Sequence, residues 1–155
     1  MRTCCATLLV VLITACGHGP DLTGGDEAQE VLGSTPQAPL DRGDGLTVDV
    51  VSAGTGAEVT ATSEVSVQYR AFVEGVDQPF DANDDSGVPL ALKLGATAQP
   101  RVIEGLSRGL VGLRVGTRAV LHIPAALGWG ATGNAQAGVP ADSQLRYEVN
   151  VLAAR

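Results

Sequence analysis

Apolar residues recur at every second position in five separate stretches of this 155-residue chain and at helical spacing in only one, which commits it to a half-buried antiparallel sheet. Leu46, Val48 and Val50 alternate with Thr47 and Asp49, and Ser52-Ala53-Gly54-Thr55-Gly56 turns the chain. Val65, Val67 and Tyr69 alternate with Ser66 and Gln68 in a second strand that runs to Val73, before the turn Glu74-Gly75. Leu90, Leu92 and Leu94 alternate with Ala91 and Lys93 up to Gly95, and Ala119, Leu121 and Ile123 with Val120 and His122 until Pro124 stops the run. The last strand, residues 144–152, points Leu145, Tyr147, Val149 and Val151 one way and Arg146, Glu148 and Asn150 the other. The helical pattern opens after Pro100, with Ile103, Leu106 and Leu110 at i, i+3 and i+7, and Gly109 and Gly112 keep it brief. The expected class is α+β, a five-stranded antiparallel sheet wrapped around one short helix.

The first 44 residues do not share this pattern. Arg2 is followed by the apolar run Ala6-Thr7-Leu8-Leu9-Val10-Val11-Leu12-Ile13, the layout of a secretory signal and too short for a hydrocarbon core that needs ~20 residues. Ile13-Thr14-Ala15-Cys16 has the form of a bacterial lipobox: small side chains before the cut, then a thiol that can be alkylated by a diacylglycerol. Residues 1–15 are expected to be a lipoprotein signal peptide and Cys16 the lipidation site. All three cysteines, Cys4, Cys5 and Cys16, lie in this region, so the expected domain holds no disulfide and no thiolate metal site. Residues 17–44 are rich in Gly, Pro, Asp, Gln and Thr with no apolar period, and with Cys16 read as a lipidated, disordered tether, residues 16–44. As a flexible coil such a tether spans roughly 30 Å. Gly17 directly after the cysteine resembles the signal for the outer membrane in two-membrane bacteria. The expected location is therefore extracytoplasmic, on a bacterial membrane through a lipid anchor only, facing the periplasm where there are two membranes.

Several motifs invite a chemistry and fail its context. A formal charge of -7 leaves no basic excess to displace counterions, which excludes nucleic acid as an electrostatic partner. Gly128-Trp129-Gly130-Ala131-Thr132-Gly133 spells G-x-G-x-x-G, but residues 134–140 include Gly138 and Pro140 and show no helical period to receive a pyrophosphate. Asp81-Ala82-Asn83-Asp84-Asp85-Ser86-Gly87 starts like a calcium loop, yet its glycine is one place late and Leu92 stands at the twelfth position, so it reads as a solvated polar loop. His122 falls in the outward set of its strand, and neither it nor His18 has a partner at a catalytic or ligating spacing. Ser107 lacks the strand that must precede a nucleophile elbow. That leaves an apolar-faced helix and a glycine-rich bend carrying the chain's one tryptophan.

Taken in order, the motifs of residues 45–152 resemble an FKBP-type peptidyl-prolyl cis-trans isomerase, in its bacterial lipoprotein form. The resemblance rests on Gly45-Leu46 with Gly54-Thr55-Gly56, Val65-Ser66-Val67-Gln68-Tyr69, Phe80-Asp81, Val102-Ile103-Glu104-Gly105-Leu106, Gly116-Thr117-Arg118-Ala119, Ile123-Pro124 with Gly128-Trp129-Gly130, and Val139-Pro140 with Ser143-Gln144-Leu145-Arg146-Tyr147. It implies an isomerase domain over residues 45–155 with the family's five-stranded sheet around a short helix. It implies a pocket walled by Tyr69, Phe80, Trp129 and Tyr147, completed by Val102, Ile103 and Val139, with Leu106 as floor and Asp81 at the rim beside Tyr69. In the family, the amide N–H at the position of Ile103 meets a ligand carbonyl. Leu106, Trp129 and Tyr147 stand where many members carry Trp, Tyr and Phe, which changes the pocket's size. The small loop 134–138 and Leu90 replace bulkier residues.

Such a site needs no nucleophile, cofactor or metal. Rotation about an X-Pro bond breaks amide resonance, against a barrier of roughly 18 to 20 kcal/mol. The twisted amide is less polar than the planar one, so an apolar cavity favours it over the ground state. The expected substrates are proline-containing exported polypeptides, and the expected protein is a monomer. The alternative on the same fold is a non-catalytic module or chaperone that holds proline-containing segments.

Overall fold

The computed structural model describes residues 38–84, 86–95 and 102–155. Seven strands form one antiparallel sheet: β1 (Leu40–Asp41), β2 (Thr47–Ser52), β3 (Glu64–Val73), β4 (Asp81–Ala82), β5 (Leu90–Lys93), β6 (Arg118–Ile123) and β7 (Leu145–Ala154). Their order is β1-β2-β6-β7-β3-β4, with β5 also pairing β3. One helix, α1 (Glu104–Leu110), lies between β5 and β6 in the chain. This is the FKBP-like arrangement expected from the sequence, and the expected five strands are β2, β3, β5, β6 and β7.

The two additional strands have two residues each, too short for an alternation to register. β1 falls in the stretch read as tether. It is set by a tight turn in which Arg42 N–H donates to Leu46 O (2.8 Å) and Gly43 N–H to the Asp41 carboxylate (2.7 Å). Gly43, Asp44 and Gly45 all take positive φ, at 82°, 53° and 80°. β4 opens the segment read as a polar loop and pairs Arg70 with Ala82 and Ala71 with Asp81. The loop's acids and amides serve internal contacts: Asp84 pairs with Arg70, and Ser86 Oγ donates to Asn83 O at 2.7 Å.

The alternations decide which face each strand buries. On β7, Leu145, Tyr147, Val149 and Val151 are buried while Arg146, Glu148 and Asn150 are half-exposed, and β6 buries Ala119, Leu121 and Ile123. These side chains meet Leu106 and Leu110 of α1, which are 1% and 0% exposed. Ile103 is the residue that caps the helix start, in extended conformation (φ -74°, ψ 152°). Gly105 and Gly109, one turn apart, face β6, and a methyl group on either would collide with Ile123 or Leu121. The helix therefore sits against the sheet at glycine distance, which fixes the height of Ile103 and Leu106.

Candidate functional site

Four aromatic side chains from four different parts of the chain form one connected group. Phe80 meets the edge of Trp129 with ring centres 5.5 Å apart at 73°, and Tyr147 at 6.3 Å and 77°. Tyr147 stacks on Tyr69 at 5.9 Å and 27°. Edge-to-face and offset pairs of this kind contribute ~0.5–1.5 kcal/mol each beyond burial. Ile103, Leu106, Val139 and Tyr147 are buried in the core cluster, and Tyr69, Phe80, Val102 and Trp129 pack against it half-buried. Leu106, expected as the floor, is buried, and Asp81, expected at the rim, is exposed.

Tyr69 and Tyr147 arrive on the inner faces of β3 and β7, where Ala71 pairs with Tyr147 and Tyr69 with Val149. Phe80 and Asp81 come from the start of β4. Phe80 N–H donates to Ala71 O (2.9 Å) and Asn83 N–H to Tyr69 O (3.1 Å). The Asn83 side chain then substitutes for a longer ladder: its Oδ1 accepts from Tyr69 N–H at 2.7 Å, and its Nδ2 donates to Val67 O and Val88 O at 3.1 and 3.2 Å. Sequence reasoning passed over Asn83. Its signal was an asparagine in a loop, whose amide can complete backbone pairing.

Trp129 stands between two 3-10 turns, Ala125–Leu127 and Gly130–Thr132. The glycine run that spells a nucleotide fingerprint is thus a bend. Gly133 (φ 62°) approaches the backbone of Val139 and Pro140 too closely for a side chain. Asn134 and Val139 close the next turn with paired bonds of 2.8 and 2.9 Å. Val139 is buried by this closure.

The polar atoms lie at the rim. Tyr69 hydroxyl donates to Asp81 Oδ2 at 2.7 Å. Burial pushes the Tyr147 phenol well above its ordinary range, with further contributions from Tyr69 and Asp81, so it stays neutral. Among the described residues no backbone acceptor meets the Ile103 N–H, and its carbonyl takes Ser107 N–H at 3.3 Å. The group therefore combines apolar ring faces, one backbone donor and a hydroxyl–carboxylate pair. Among the described residues of the group there is no serine, threonine or cysteine.

His122 lies apart from this group, on the outer face of the sheet. Its two ring nitrogens approach Asp49 (3.2 Å) and Glu74 (3.3 Å), partners from distant parts of the sequence that spacing could not reveal. Because the carboxylates face opposite nitrogens, the cluster bridges strands instead of chelating. Among the described residues no group of three His, Cys, Asp or Glu could hold a metal ion. Cys16 lies outside the described residues.

The sequence model of the FKBP-type peptidyl-prolyl cis-trans isomerase family matches residues 56–152. The chain is 32% identical over 108 residues to the FK506-binding protein of Neisseria meningitidis serogroup B, covering 70% of this chain and 94% of that one. It is 29% identical over 136 residues to the inactive peptidyl-prolyl cis-trans isomerase FKBP6 of Mus musculus, covering 83% of this chain and 40% of that one. Other curated relatives are also longer, and the chain spans 26% of FK506-binding protein 4 of Gibberella zeae and 60% of FK506-binding protein 2 of Kluyveromyces lactis. The N-terminal domain of FKBP42 from Arabidopsis thaliana shares the fold, with a TM-score of 0.69 at 24% identity over 76% of this chain and 91% of that one.

Proposed function

The chain belongs to the FKBP-type peptidyl-prolyl cis-trans isomerase family, and from that premise we propose that it accelerates rotation about X-Pro bonds in exported polypeptides. The observation that carries this reading is the ring group Trp129–Phe80–Tyr147–Tyr69 over a buried Leu106. The proline ring rests against Trp129 and Leu106. The Ile103 N–H donates to a substrate carbonyl, which fixes the segment while the imide turns. Tyr69 and Asp81 hold each other at the rim and keep that wall upright. As the bond twists, the imide loses charge separation, and the enclosure stabilises it relative to water. Each ~1.4 kcal/mol of that preference multiplies the rate tenfold.

We propose further that Cys16 carries a lipid, residues 1–15 being the removed signal, and that the domain works on the outer side of a bacterial membrane as a monomer. Cys16→Ser is expected to release the protein from the membrane fraction; retention there rejects the anchor.

The test of the isomerase reading is refolding of a proline-limited protein at micromolar concentrations of the full chain. Acceleration that disappears in Trp129→Ala supports it, and an unchanged rate rejects it. The resemblance to an isomerase named as inactive favours a second reading, a non-catalytic binder of proline-containing segments. That reading predicts saturable peptide binding and suppressed aggregation with no change in refolding rate.

A further inference from the structure

The contacts within the aromatic group leave the Tyr147 hydroxyl unused. Tyr147 is 4% exposed on the inner face of β7, between Ala71 of β3 and Leu121 of β6, and its ring packs against Tyr69 and Phe80. Asp81 is close enough for its charge to act on the phenol, yet its Oδ2 already accepts the Tyr69 hydroxyl at 2.7 Å. Among the described residues the Tyr147 hydroxyl makes no hydrogen bond, and its oxygen is not one of the unpartnered side-chain atoms sealed from solvent. Part of the little exposure that Tyr147 keeps is therefore the oxygen itself. Burial holds the phenol protonated, so it has a proton to donate and no acceptor of its own.

A ligand seated on the rings must either give this hydroxyl a partner or leave it dry and unpaired, which costs more than a hydrogen bond usually contributes. A proline ring carries no acceptor. The residue before it does: its carbonyl carbon is bonded to the proline nitrogen, so that oxygen travels into the site with the ring. In the planar imide, resonance places negative charge on the oxygen and makes it a strong acceptor, and twisting the bond removes that charge. A donor held on this oxygen therefore binds the planar state better than the twisted one, which lowers KM without raising kcat.

We propose that the Tyr147 hydroxyl donates a hydrogen bond to the carbonyl oxygen of the residue preceding proline, tightening the hold on the planar segment at the expense of turnover. This rests on the reading that a proline-containing segment occupies the aromatic group, and it applies to an isomerase and to a non-catalytic binder alike.

The test compares the full chain with Tyr147→Phe, each titrated by NMR with an end-capped peptide of alanine, leucine, proline and phenylalanine, and with the same peptide carrying sulfur in place of the oxygen before proline. Sulfur is a weak acceptor. Either change alone is expected to weaken binding about three- to tenfold, the worth of one hydrogen bond, and the two together no further. In turnover of the oxygen peptide, Tyr147→Phe is expected to raise KM while kcat holds or rises. The proposal is overturned by a variant that binds the oxygen peptide as tightly as the parent, by sulfur weakening variant and parent equally, or by a fall in kcat. The two peptides on the parent alone decide it without any variant: equal affinity overturns it, and binding of neither overturns it together with the occupancy it rests on. The binding arms need no turnover, so failure of the isomerase reading is recognised separately, by an unchanged refolding rate.

Discussion

Gly105→Ala sets two physical effects of opposite sign against each other. Alanine is the better helix former by about 1 kcal/mol, so local propensity alone predicts a more stable protein. Packing predicts the reverse. The added Cβ would lie 3.2 Å from Leu127 O and 3.3 Å from Ile123 Cβ, and closer still to Ile123 Cγ2. Carbon atoms prefer ~3.5–4.0 Å, so α1 must lift from β6 by an appreciable part of about 1 Å or Ile123 must leave its rotamer. Overpacking of this kind costs typically about 1–3 kcal/mol, and an overlap with a branched side chain on a central strand belongs at the upper end. Set against the propensity gain, the net loss is about 2 kcal/mol. With a urea slope of about 1–3 kcal/mol/M, the unfolding midpoint falls by roughly 1 M.

The same lift carries Ile103 and Leu106 away from the ring group, so kcat/KM of the proposed isomerase activity is expected to fall together with stability. Gly109→Ala provides the comparison. Its Cβ would meet Leu121, at 2.9 Å from Cγ and nearer to Cδ2, the far end of that side chain, and meets no backbone atom within that range. Its penalty is therefore expected to be smaller. Urea unfolding of the three proteins decides the matter. A Gly105→Ala variant as stable as the parent, or a larger loss at Gly109, would refute the idea that glycine contacts set the helix height.

Asp81→Ala removes the acceptor of the Tyr69 hydroxyl at an exposed position. It should leave the unfolding free energy within about 0.5 kcal/mol while lowering kcat/KM several-fold, measured on a proline-containing peptide. Asn83→Ala removes two bonds to β3 and one to Val88, and is expected to cost about 2 kcal/mol and to speed amide hydrogen exchange at Phe80. Because burial raises the Tyr147 pKa, the unfolded chain releases this proton first as pH rises, from about 10. Stability contributed by the neutral phenol is complete below that pH and declines above it, at up to about 1.4 kcal/mol per pH unit. Denaturation midpoints between about pH 9 and 11 should show a shallower alkaline decline in Tyr147→Phe.

The alternations of β2, β3, β5, β6 and β7 were legible because each strand buries one face, and a period of two then appears in the residues themselves. The aromatic group was legible through the family resemblance, which joined residues that no local pattern connects. β1 and β4 were not, since two residues cannot display a period and both strands are held by turn geometry and by the Asn83 side chain. The roles of Gly105 and Gly109 were hidden for a related reason: a glycine in a helical pattern reads as a weakness of that helix, and only the neighbouring strand shows why nothing larger fits. His122 joins Asp49 and Glu74 across the sheet, a contact written in the register between strands.

Strand β7 turns Tyr147 toward the ring group and Glu148 and Asn150 toward the opposite surface. Adjacent codons in this segment thus answer to different selective pressures. Substitutions at alternate positions can reshape one surface while the other is inherited unchanged. A single-residue insertion would exchange the two sets and destroy both. The segment is therefore permissive to replacement and closed to changes of length, so variation among descendants of this chain should accumulate there as point substitutions.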